Sequence, residues 1–326
     1  MRRKILLPVF FMLSIGNAVL AWNGEGHEVV AYIAYQHLDS ATRAEVDSLV
    51  AKNPCYNNWK SQVSSLPPQQ QSVAIFMLAA TWPDAIKLAG YDCKPSPDFG
   101  PDGAAGGDIA PEGPESSQNI GYSDSHRHKY WHFVDTPFST DGTPTKPAPH
   151  PNALDEIIAL TAGLASNESE DLKSYDLVWI EHLVGDVHQP LHDTSRFTRQ
   201  HPNGDQGGNL VSICNTANCK AELHAYWDDI LGAANLNTAL TEGAQLDTRS
   251  KPTGADIGDV HMWVQEGFQL AKSDVYQPPI SEDEPGSPAG IPDKRYRDHA
   301  KEIAQVQVLL AGYRLAGVLN GSLHGQ

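Results

Sequence analysis

The sequence predicts an all-α protein, a single mainly helical domain in which long loops connect the helices. Three observations support this fold class. Apolar residues recur at helical spacing through most of the 326-residue chain, alternating strand patterns are nearly absent, and Gly, Pro and Ser concentrate in a few long stretches between the helical patterns. The chain also lacks an internal repeat and a linker-like segment, so we expect one domain.

The N-terminal segment predicts export. Three of the first four residues are basic, Ile5–Leu20 is apolar, and Ala21 is small, which is the pattern of a secretory signal peptide over residues 1–21. A membrane anchor is the alternative, but the apolar run is short and is interrupted by proline and polar residues. We therefore expect cleavage to make Trp22 the first residue of a mature domain, 22–326, that is secreted or periplasmic and has no membrane partner.

The first half of the mature chain carries helical patterns separated by loops. Residues 26–38 show apolar side chains at helical spacing, and Thr42–Lys52 predicts a second helix that small polar residues open. Ser72–Trp82 is strongly apolar. Lys94–Asn119 and Thr136–Pro151 are rich in Gly, Pro and Ser, so we expect both to be loops.

The second half of the chain predicts further helices. Thr194–Lys220 is expected to be a loop, within which Asn209–Cys214 is the best candidate for a short strand. Pro190 lacks an amide donor, so the helix before it should end at or before Gln189. The helical patterns cover Asn152–Ala165, Leu172–His188, Ala221–Leu231, Asp259–Val275 and Asp293–Leu319.

Four cysteines fit an oxidising compartment and two disulfides. Three pairings are possible. Cys214 and Cys219 flank a short polar loop, so we favour that pair together with Cys55–Cys93. A zinc site built from cysteines is the alternative, but the sequence has no Cys-x-x-Cys and exported thiols usually oxidise.

The formal net charge of −17 restricts the ligands that the protein can attract unaided. Phosphate polyanions normally bind to Lys and Arg, so an acidic protein is a poor electrostatic trap for nucleic acid. Bound cations would reverse the field locally, because metal ions are often the largest charges in a site. Nucleic-acid binding therefore requires a metal site.

Histidine and aspartate recur four residues apart in helical patterns. His182 and Asp186 form one such pair, His224 and Asp228 another, and side chains four apart share one face of a helix. His192 follows the helix-ending proline, so it leaves on a different trajectory from His182. The stretch from 182 to 192 can therefore serve two metal positions.

Three further positions are candidate ligands, namely His27, Asp84 and His132. Imidazole and carboxylate together suit zinc and similar borderline ions. Spacing alone leaves His128 as a rival, because His128 and His132 are also four apart, although basic neighbours indicate that His128 is solvated. His188 is interpreted as a residue that orients a metal ligand through a hydrogen bond.

Several motifs occur in order along the mature chain, and they are Trp22 with His27, Trp-x-Asp at 82–84, His-Phe-x-Asp at 132–135, His-x-x-x-Asp-x-His-Gln-Pro-x-His at 182–192, Gly-Asp-x-Gly-Gly-Asn at 204–209, Leu-His-x-x-Trp-Asp at 223–228 and Tyr-Arg-Leu-Ala-Gly-Val-Leu-Asn at 313–320. Each motif alone is weak. The ordered set resembles the zinc-dependent single-strand nucleases of the S1/P1 type, and the resemblance spans essentially the whole mature chain.

The resemblance implies an all-helical fold whose long loops surround a cleft with three Zn²⁺ ions. It also selects His132 over His128. Carried over by motif, the ligands of the first zinc are Asp84, His132, His182 and Asp186. Those of the second are His27, Asp186 as a bridge, and the free amino group and carbonyl of Trp22. Those of the third are His192, His224 and Asp228.

The expected activity is that of an endonuclease that hydrolyses single-stranded RNA and DNA to 5′-phosphate products and also acts as a 3′-nucleotidase. Two cations bridged by Asp186, with Asp84 and His132 as further catalytic ligands, can lower the pKa of a shared water and produce the attacking hydroxide. The third can stabilise the leaving oxygen. A zinc phospholipase C is the alternative enzyme, and a zinc-scavenging protein is the non-catalytic alternative. We expect a monomer.

The resemblance also implies a pocket for a nucleobase. Phe133 and Asp135 match family positions that stack on a base and hydrogen-bond to it, although Phe133 could equally be a core residue. The Gly-Gly pair before Asn209 would let the backbone approach the base, with Asn209 as a polar contact. Gln206 stands where an apolar contact would be natural, so the base preference stays open.

Overall fold

Helices make up most of the part of the chain that the computed structural model describes, which is residues 22–88, 91–93, 119–124, 126–214, 221–232, 235–280 and 290–323. This confirms the predicted fold class. In chain order the helices are α1 (Gly24–Gln36), α2 (Ser40–Val50), α3 (Tyr56–Gln62), α4 (Pro68–Ala79), α5 (Trp82–Ala85), α6 (Ala153–Leu164), α7 (Glu170–Asp186), α8 (Leu223–Asp228), α9 (Leu236–Asp247), α10 (Val260–Leu270) and α11 (Lys294–Leu323).

Helix α7 is the buried centre of the molecule. Every residue from Lys173 to Asp186 is buried, and α1, α2, α6 and α11 pack around the helix. The side chain of Ser169 caps its N-terminus by accepting a hydrogen bond from the amide of Leu172. The helix ends at Asp186, ahead of Pro190 as predicted. Because α7 is enclosed on all sides, the polar side chains near its C-terminus lie inside the protein.

The N-terminus of α1 is attached to the C-terminal end of α8. Asn23 caps the helix by accepting hydrogen bonds from the amides of Glu25 and Gly26. The amide of Asn23 donates to the carbonyl oxygen of Asp228, 3.1 Å away, at the end of α8. The first turn of α1 and the last residue of α8 are thereby held together.

The predicted helices are present, and their ends differ from the predicted ones by a few residues. The long final helix, for example, continues to Leu323 rather than ending at Leu319. Helices α3 and α9 were not predicted. Only Ala239, Gly243 and Leu246 of α9 are buried, so its apolar stripe is too thin to recognise in the sequence.

Two segments that were predicted to be loops contain short strands. Strand β1 (Thr136–Ser139) pairs in parallel with β2 (Thr194–Phe197), with Thr136 opposite Thr194. The predicted strand at Asn209–Cys214 is wrong, because within it only Ser212 forms an isolated bridge, to Glu222. All four residues of β2 are buried although three are polar, so no alternating pattern marks the strand.

The Cys55–Cys93 disulfide is present, with its Cα atoms 4.9 Å apart. Cys219 lies outside the described residues, as do residues 1–21, so the Cys214–Cys219 pairing and the signal peptide stay predictions. Among the described helices, none combines the length and the apolar composition needed to cross a bilayer.

Candidate metal centre

A first group of possible ligands surrounds the C-terminal end of α7. The Nε2 atom of His182 lies 2.9 Å from Nδ1 of His132 and 3.5 Å from Oδ1 of Asp84. Oδ2 of Asp186 lies 3.3 Å from the same His182 nitrogen and 3.1 Å from His132 Nδ1. Asp84 comes from the single-turn helix α5, and His132 ends a 3₁₀ turn that starts at Lys129. The structure thus brings together four predicted ligands from three parts of the chain.

A second group shares Asp186 with the first. Nε2 of His27, on α1, lies 3.4 Å from Oδ1 of Asp186, and the His27 ring stacks on the His182 ring with centroids 3.8 Å apart. Gly185 makes this approach possible, because a Cβ at that position would lie 2.7 Å from Nδ1 of His27. Asp186 therefore directs one carboxylate oxygen at each group.

A third group combines His192 with the His–Asp pair of α8. Oδ1 of Asp228 is 3.8 Å from His192 Nε2, and Oδ2 of Asp228 is 3.6 Å from His224 Nε2. The amide of Gln189 donates to Asp228 Oδ1 over 2.8 Å. Nδ1 of His192 also lies 3.9 Å from Oδ1 of Asp186, so the third group adjoins the other two.

Backbone carbonyls orient three of the five histidines. Nδ1 of His182 donates to the carbonyl of Ala80 (2.8 Å), Nδ1 of His192 to that of His132 (2.6 Å), and Nδ1 of His224 to that of Gly207 (2.7 Å). Each bond requires the proton on Nδ1, which leaves the lone pair of Nε2 directed at a group. Metal-binding histidines in proteins are usually held in this way.

Several polar atoms of the three groups are buried and lack a hydrogen-bond partner. They are His27 Nε2, Asp186 Oδ1, His192 Nε2 and Asp228 Oδ2. A buried polar atom left unpaired costs about 1–3 kcal/mol, and a metal ion at each group would satisfy these atoms. Imidazole nitrogens with carboxylate oxygens are the donors that zinc prefers. The residues therefore fit bound metal ions.

The protonation states of several residues in these groups also favour the binding of metal cations. Burial lowers the pKa of the His132 imidazole to about 3, with Lys87 adding to the effect, and burial lowers the pKa values of His27 and His224. Burial opposes ionisation of Asp186, but His182 and His192 hold its pKa well below the usual range. Neutral His27, His132 and His224 beside an ionised carboxylate are forms that bind metal. Despite burial, Asp186 raises the pKa of His182 and raises that of His192 to about 9, so a metal ion must displace a proton at these two residues.

Trp22 lies between the second and third groups. Its side chain is fully buried, and its indole N–H donates to the carbonyl of Gly185, 2.9 Å away and one residue before Asp186. The next residue, Asn23, is bonded to the backbone of Asp228. The structure thus places Trp22 beside residues of both groups.

Two histidines lie in other surroundings than those predicted. His128 is fully buried rather than solvated, because Nε2 pairs with Asp124 (2.6 Å) and the ring stacks on Trp131 (centroids 3.7 Å apart). His188 contacts the carbonyl of Val184 and, over 2.9 Å, the guanidinium of Arg314. Neither of its ring nitrogens bonds to a residue of the three groups, so the interpretation of His188 as a ligand-orienting residue is wrong.

Lys87 is a neighbour of the first group that the sequence did not reveal. Its Nζ lies 2.5 Å from Oδ1 of Asp84, and only 7% of its side chain is exposed. Lys87 is about one helical turn after Asp84, and this spacing is the sequence feature that could have indicated their contact. A cation held beside a cluster of ligands is a candidate for binding a phosphate oxygen.

The residues of the predicted base pocket lie next to the third group. Phe133 is half-buried and follows His132, and the next amide, that of Val134, donates to the carbonyl of His192 (2.7 Å). On the opposite side, the amide of Asn209 donates to the carbonyl of Gln206. Its side-chain N–H donates to the same carbonyl, which leaves Oδ1 without a partner.

The family model of the S1/P1 nucleases matches residues 22–324 of this chain. Nuclease S1 of Aspergillus oryzae is 24% identical over 339 residues, covering 97% of this chain and 96% of that protein. Endonuclease 4 of Arabidopsis thaliana is 24% identical over 302 residues, covering 86% and 79%. Endonuclease 5 of the same plant is 24% identical over 245 residues, covering 72% of this chain and 64% of that protein.

Proposed function

The chain belongs to the S1/P1 nuclease family, and from that premise we propose that it is a zinc-dependent endonuclease of single-stranded RNA and DNA. It leaves 5′-phosphate ends and also removes 3′-phosphates from nucleotides. The observation that carries the proposal is the sharing of Asp186, whose two carboxylate oxygens face two ligand groups while a third group adjoins them. Metal ions spaced in this way suit in-line displacement at phosphorus.

Each group would hold one Zn²⁺ ion. Following the family motifs, we assign Asp84, His132, His182 and Asp186 to the first ion, His27, Asp186 and the amino group and carbonyl of Trp22 to the second, and His192, His224 and Asp228 to the third. This assignment is supported by three clusters of potential ligand atoms, which are Asp84, His132 and His182, then His27, His182 and Asp186, then His192, His224 and Asp228. Zinc bound there would supply a nucleophile from water at neutral pH and a counter-charge for the leaving oxygen. No side-chain nucleophile is needed.

The chain's own residues bind and orient the substrate. The ammonium group of Lys87, held against Asp84, is placed to bind a phosphate oxygen as a point charge. Phe133 offers a half-exposed ring for stacking on a base, and Asp135 and the free Oδ1 of Asn209 offer hydrogen-bond acceptors. These contacts need a base whose face and edge are both accessible, so they favour single strands over duplexes.

The proposed role of Trp22 as a ligand makes metal binding depend on export. A terminal amine binds metal only when it is free and neutral, and its unperturbed pKa of about 8 allows this near neutral pH. Removal of residues 1–21 would therefore complete the second site at the same step that releases a secreted or periplasmic enzyme. The buried position of Trp22 beside Gly185 supports this order of events.

A zinc phospholipase C is the second candidate, because it shares a site of three zinc ions. The residues beside the third group favour nucleotides, since Phe133 and Asn209 suit a planar ring with polar edges. Denatured DNA, RNA, 3′-AMP and a phosphatidylcholine, each assayed with and without a chelator, distinguish the candidates. We expect chelator-sensitive cleavage of the first three. Hydrolysis of the lipid alone would refute the nuclease, and zinc binding without turnover would indicate a scavenging protein.

A further inference from the structure

We propose that Arg196 and Asp205 are positioning residues that hold the turn Gln206–Asn209 in the shape that binds a nucleobase. This inference rests on the proposed nuclease function. Neither residue belongs to the three ligand groups or to the base pocket, and both are almost completely buried, Arg196 with 1% and Asp205 with 0% of its surface exposed. Arg196 lies in strand β2 and Asp205 lies at the start of the turn, so the pair connects the base pocket to the small sheet.

Asp205 attaches the turn to β2 through its backbone and its side chain. Its amide donates to the carbonyl of Arg196 over 3.0 Å, and its Oδ1 accepts the amide of Arg196 over 2.9 Å. Its own carbonyl accepts the amide of Leu210 over 3.1 Å, which closes the turn at its far end. One residue thus holds both ends of the turn.

The side chain of Arg196 supports Asp205 from the opposite side. Nε of Arg196 lies 3.6 Å from Oδ2 of Asp205, and the guanidinium lies 4.3 Å above the ring of Tyr276. Such a buried pair is costly to break from one side, because the remaining charge is left uncompensated. Arg196 Nε and Nη2 have no other hydrogen-bond partner, so Asp205 is the compensating charge for this guanidinium.

The turn needs external support because its backbone is unfavourable. Gln206 has a φ of 54°, and Gly207 and Gly208 follow with φ values of 58° and 84°. A non-glycine residue in this region costs energy and persists only where its surroundings hold it. A Cβ at Gly207 would overlap the carbonyl oxygen of Leu191. The pair of Arg196 and Asp205 is the neighbour that can impose this shape.

The same turn connects the base pocket to the third ligand group. The carbonyl of Gly207 accepts the Nδ1 proton of His224, and the carbonyl of Gly208 accepts the His224 amide. A movement of the turn would therefore displace Asn209 and His224 together.

The small sheet aligns the two halves of the pocket. Asp135, which has a φ of 59°, lies directly before β1, and Arg196 on β2 pairs with Phe138 on β1. Besides burial, the charges of Asp205 and Asp135 both raise the pKa of the Tyr276 hydroxyl, so each carboxylate acts on this hydroxyl. The pair Arg196–Asp205 thus sets the position of the turn relative to Asp135.

The test compares an oligothymidylate with an abasic oligonucleotide of the same length, using Asp205→Asn and the milder Arg196→Lys. A displaced turn disturbs His224 for both substrates but loses contacts to the base only for the oligothymidylate, so the ratio of kcat/KM for the oligothymidylate to that for the abasic oligonucleotide should fall about tenfold in Asp205→Asn, and less in Arg196→Lys. Arg199→Gln is the matched control, since the Arg199 side chain, which follows β2 on the same segment as Asp205, is largely exposed and pairs with Asp141, so its loss should leave the ratio unchanged.

Zinc content and the midpoint of thermal unfolding are measured for every variant. An unchanged ratio in a folded variant, or equal losses on both substrates, would overturn the positioning role. If Asp205→Asn does not fold, the ratio measured for Arg196→Lys tests the positioning role instead. This variant keeps the positive charge but loses the planar group that stacks on Tyr276. A wild-type protein that cleaves neither substrate would instead refute the proposed nuclease function.

Discussion

Asp186→Asn is the substitution that should disturb the site most. The change is nearly isosteric and removes one negative charge. Oδ1 of Asp186 faces His27 at 3.4 Å, and Oδ2 faces His132 and His182 at 3.1 and 3.3 Å. Both metal positions that use these histidines lose the same ligand. We therefore expect the zinc content to fall from three ions per chain to one.

The size of the effect follows from Coulomb's law. The possible ligand atoms of His27, His182 and Asp186 lie within 4.8 Å of one another, as do those of Asp84, His132 and His182. An ion among them is within about 4 Å of the carboxylate, where two unit charges attract by about 4 kcal/mol at an effective dielectric of about 20. Zn²⁺ carries two such charges, so loss of even half of its attraction to Asp186 weakens the binding of each of the two ions about a thousandfold. Cleavage of denatured DNA should fall by at least the same factor.

The matched control is Asp228→Asn, which makes the same chemical change at a residue of the third group alone. Elemental analysis of the purified proteins should count two zinc ions per chain in this variant and one in Asp186→Asn. Equal losses of zinc in the two variants would contradict the sharing of Asp186 between two metal positions.

Further predictions concern the terminus, the glycine beside His27 and a buried carboxyl. One additional residue before Trp22 should remove one zinc ion and reduce activity about a hundredfold; full zinc loading would contradict the terminal ligand. In Gly185→Ala the new Cβ would lie 2.7 Å from Nδ1 of His27, so this variant should also lose one zinc ion. In the control Gly317→Ala the new Cβ meets no atom within 4 Å, so the zinc content should not change. Equal zinc contents in the two variants would contradict the steric argument. Burial raises the pKa of Asp176 to about 8, so the stability that its protonated form contributes is complete below pH about 4 and is lost as the pH rises through about 8. Asp176→Asn should reduce this loss, by up to about 4 kcal/mol, in unfolding experiments between pH 5 and 9; identical pH profiles of the two proteins would contradict it.

Local spacing predicted the parts of the site that lie on one helix. The four-residue interval placed His182 and Asp186 on one face of α7, and the pair in α8 follows the same rule. Spacing could not show that Asp84 and His132 approach α7 from distant segments. The choice of His132 over His128 came from the family resemblance, and the structure agrees in placing His132 beside His182.

The predictions that failed depended on tertiary contacts. His128 has basic neighbours in sequence, but in the fold Asp124 and Trp131 enclose it. Strand β2 is buried although three of its four residues are polar, so its sequence resembles that of a loop. The environment of Arg196, between Asp205 and Tyr276, likewise depends on segments about 10 and 80 residues away in the chain, which no local pattern reveals.

Stepwise metal reconstitution measures directly whether cleavage depends on three bound zinc ions. The mature protein, beginning at Trp22, is stripped with a chelator and titrated with zinc while cleavage of denatured DNA and of duplex DNA is followed. We expect no activity in the stripped protein, binding of three zinc ions per chain, and full cleavage of the denatured strand only when all three are bound. Undiminished cleavage by the stripped protein, or full activity with a single zinc ion, would contradict the account.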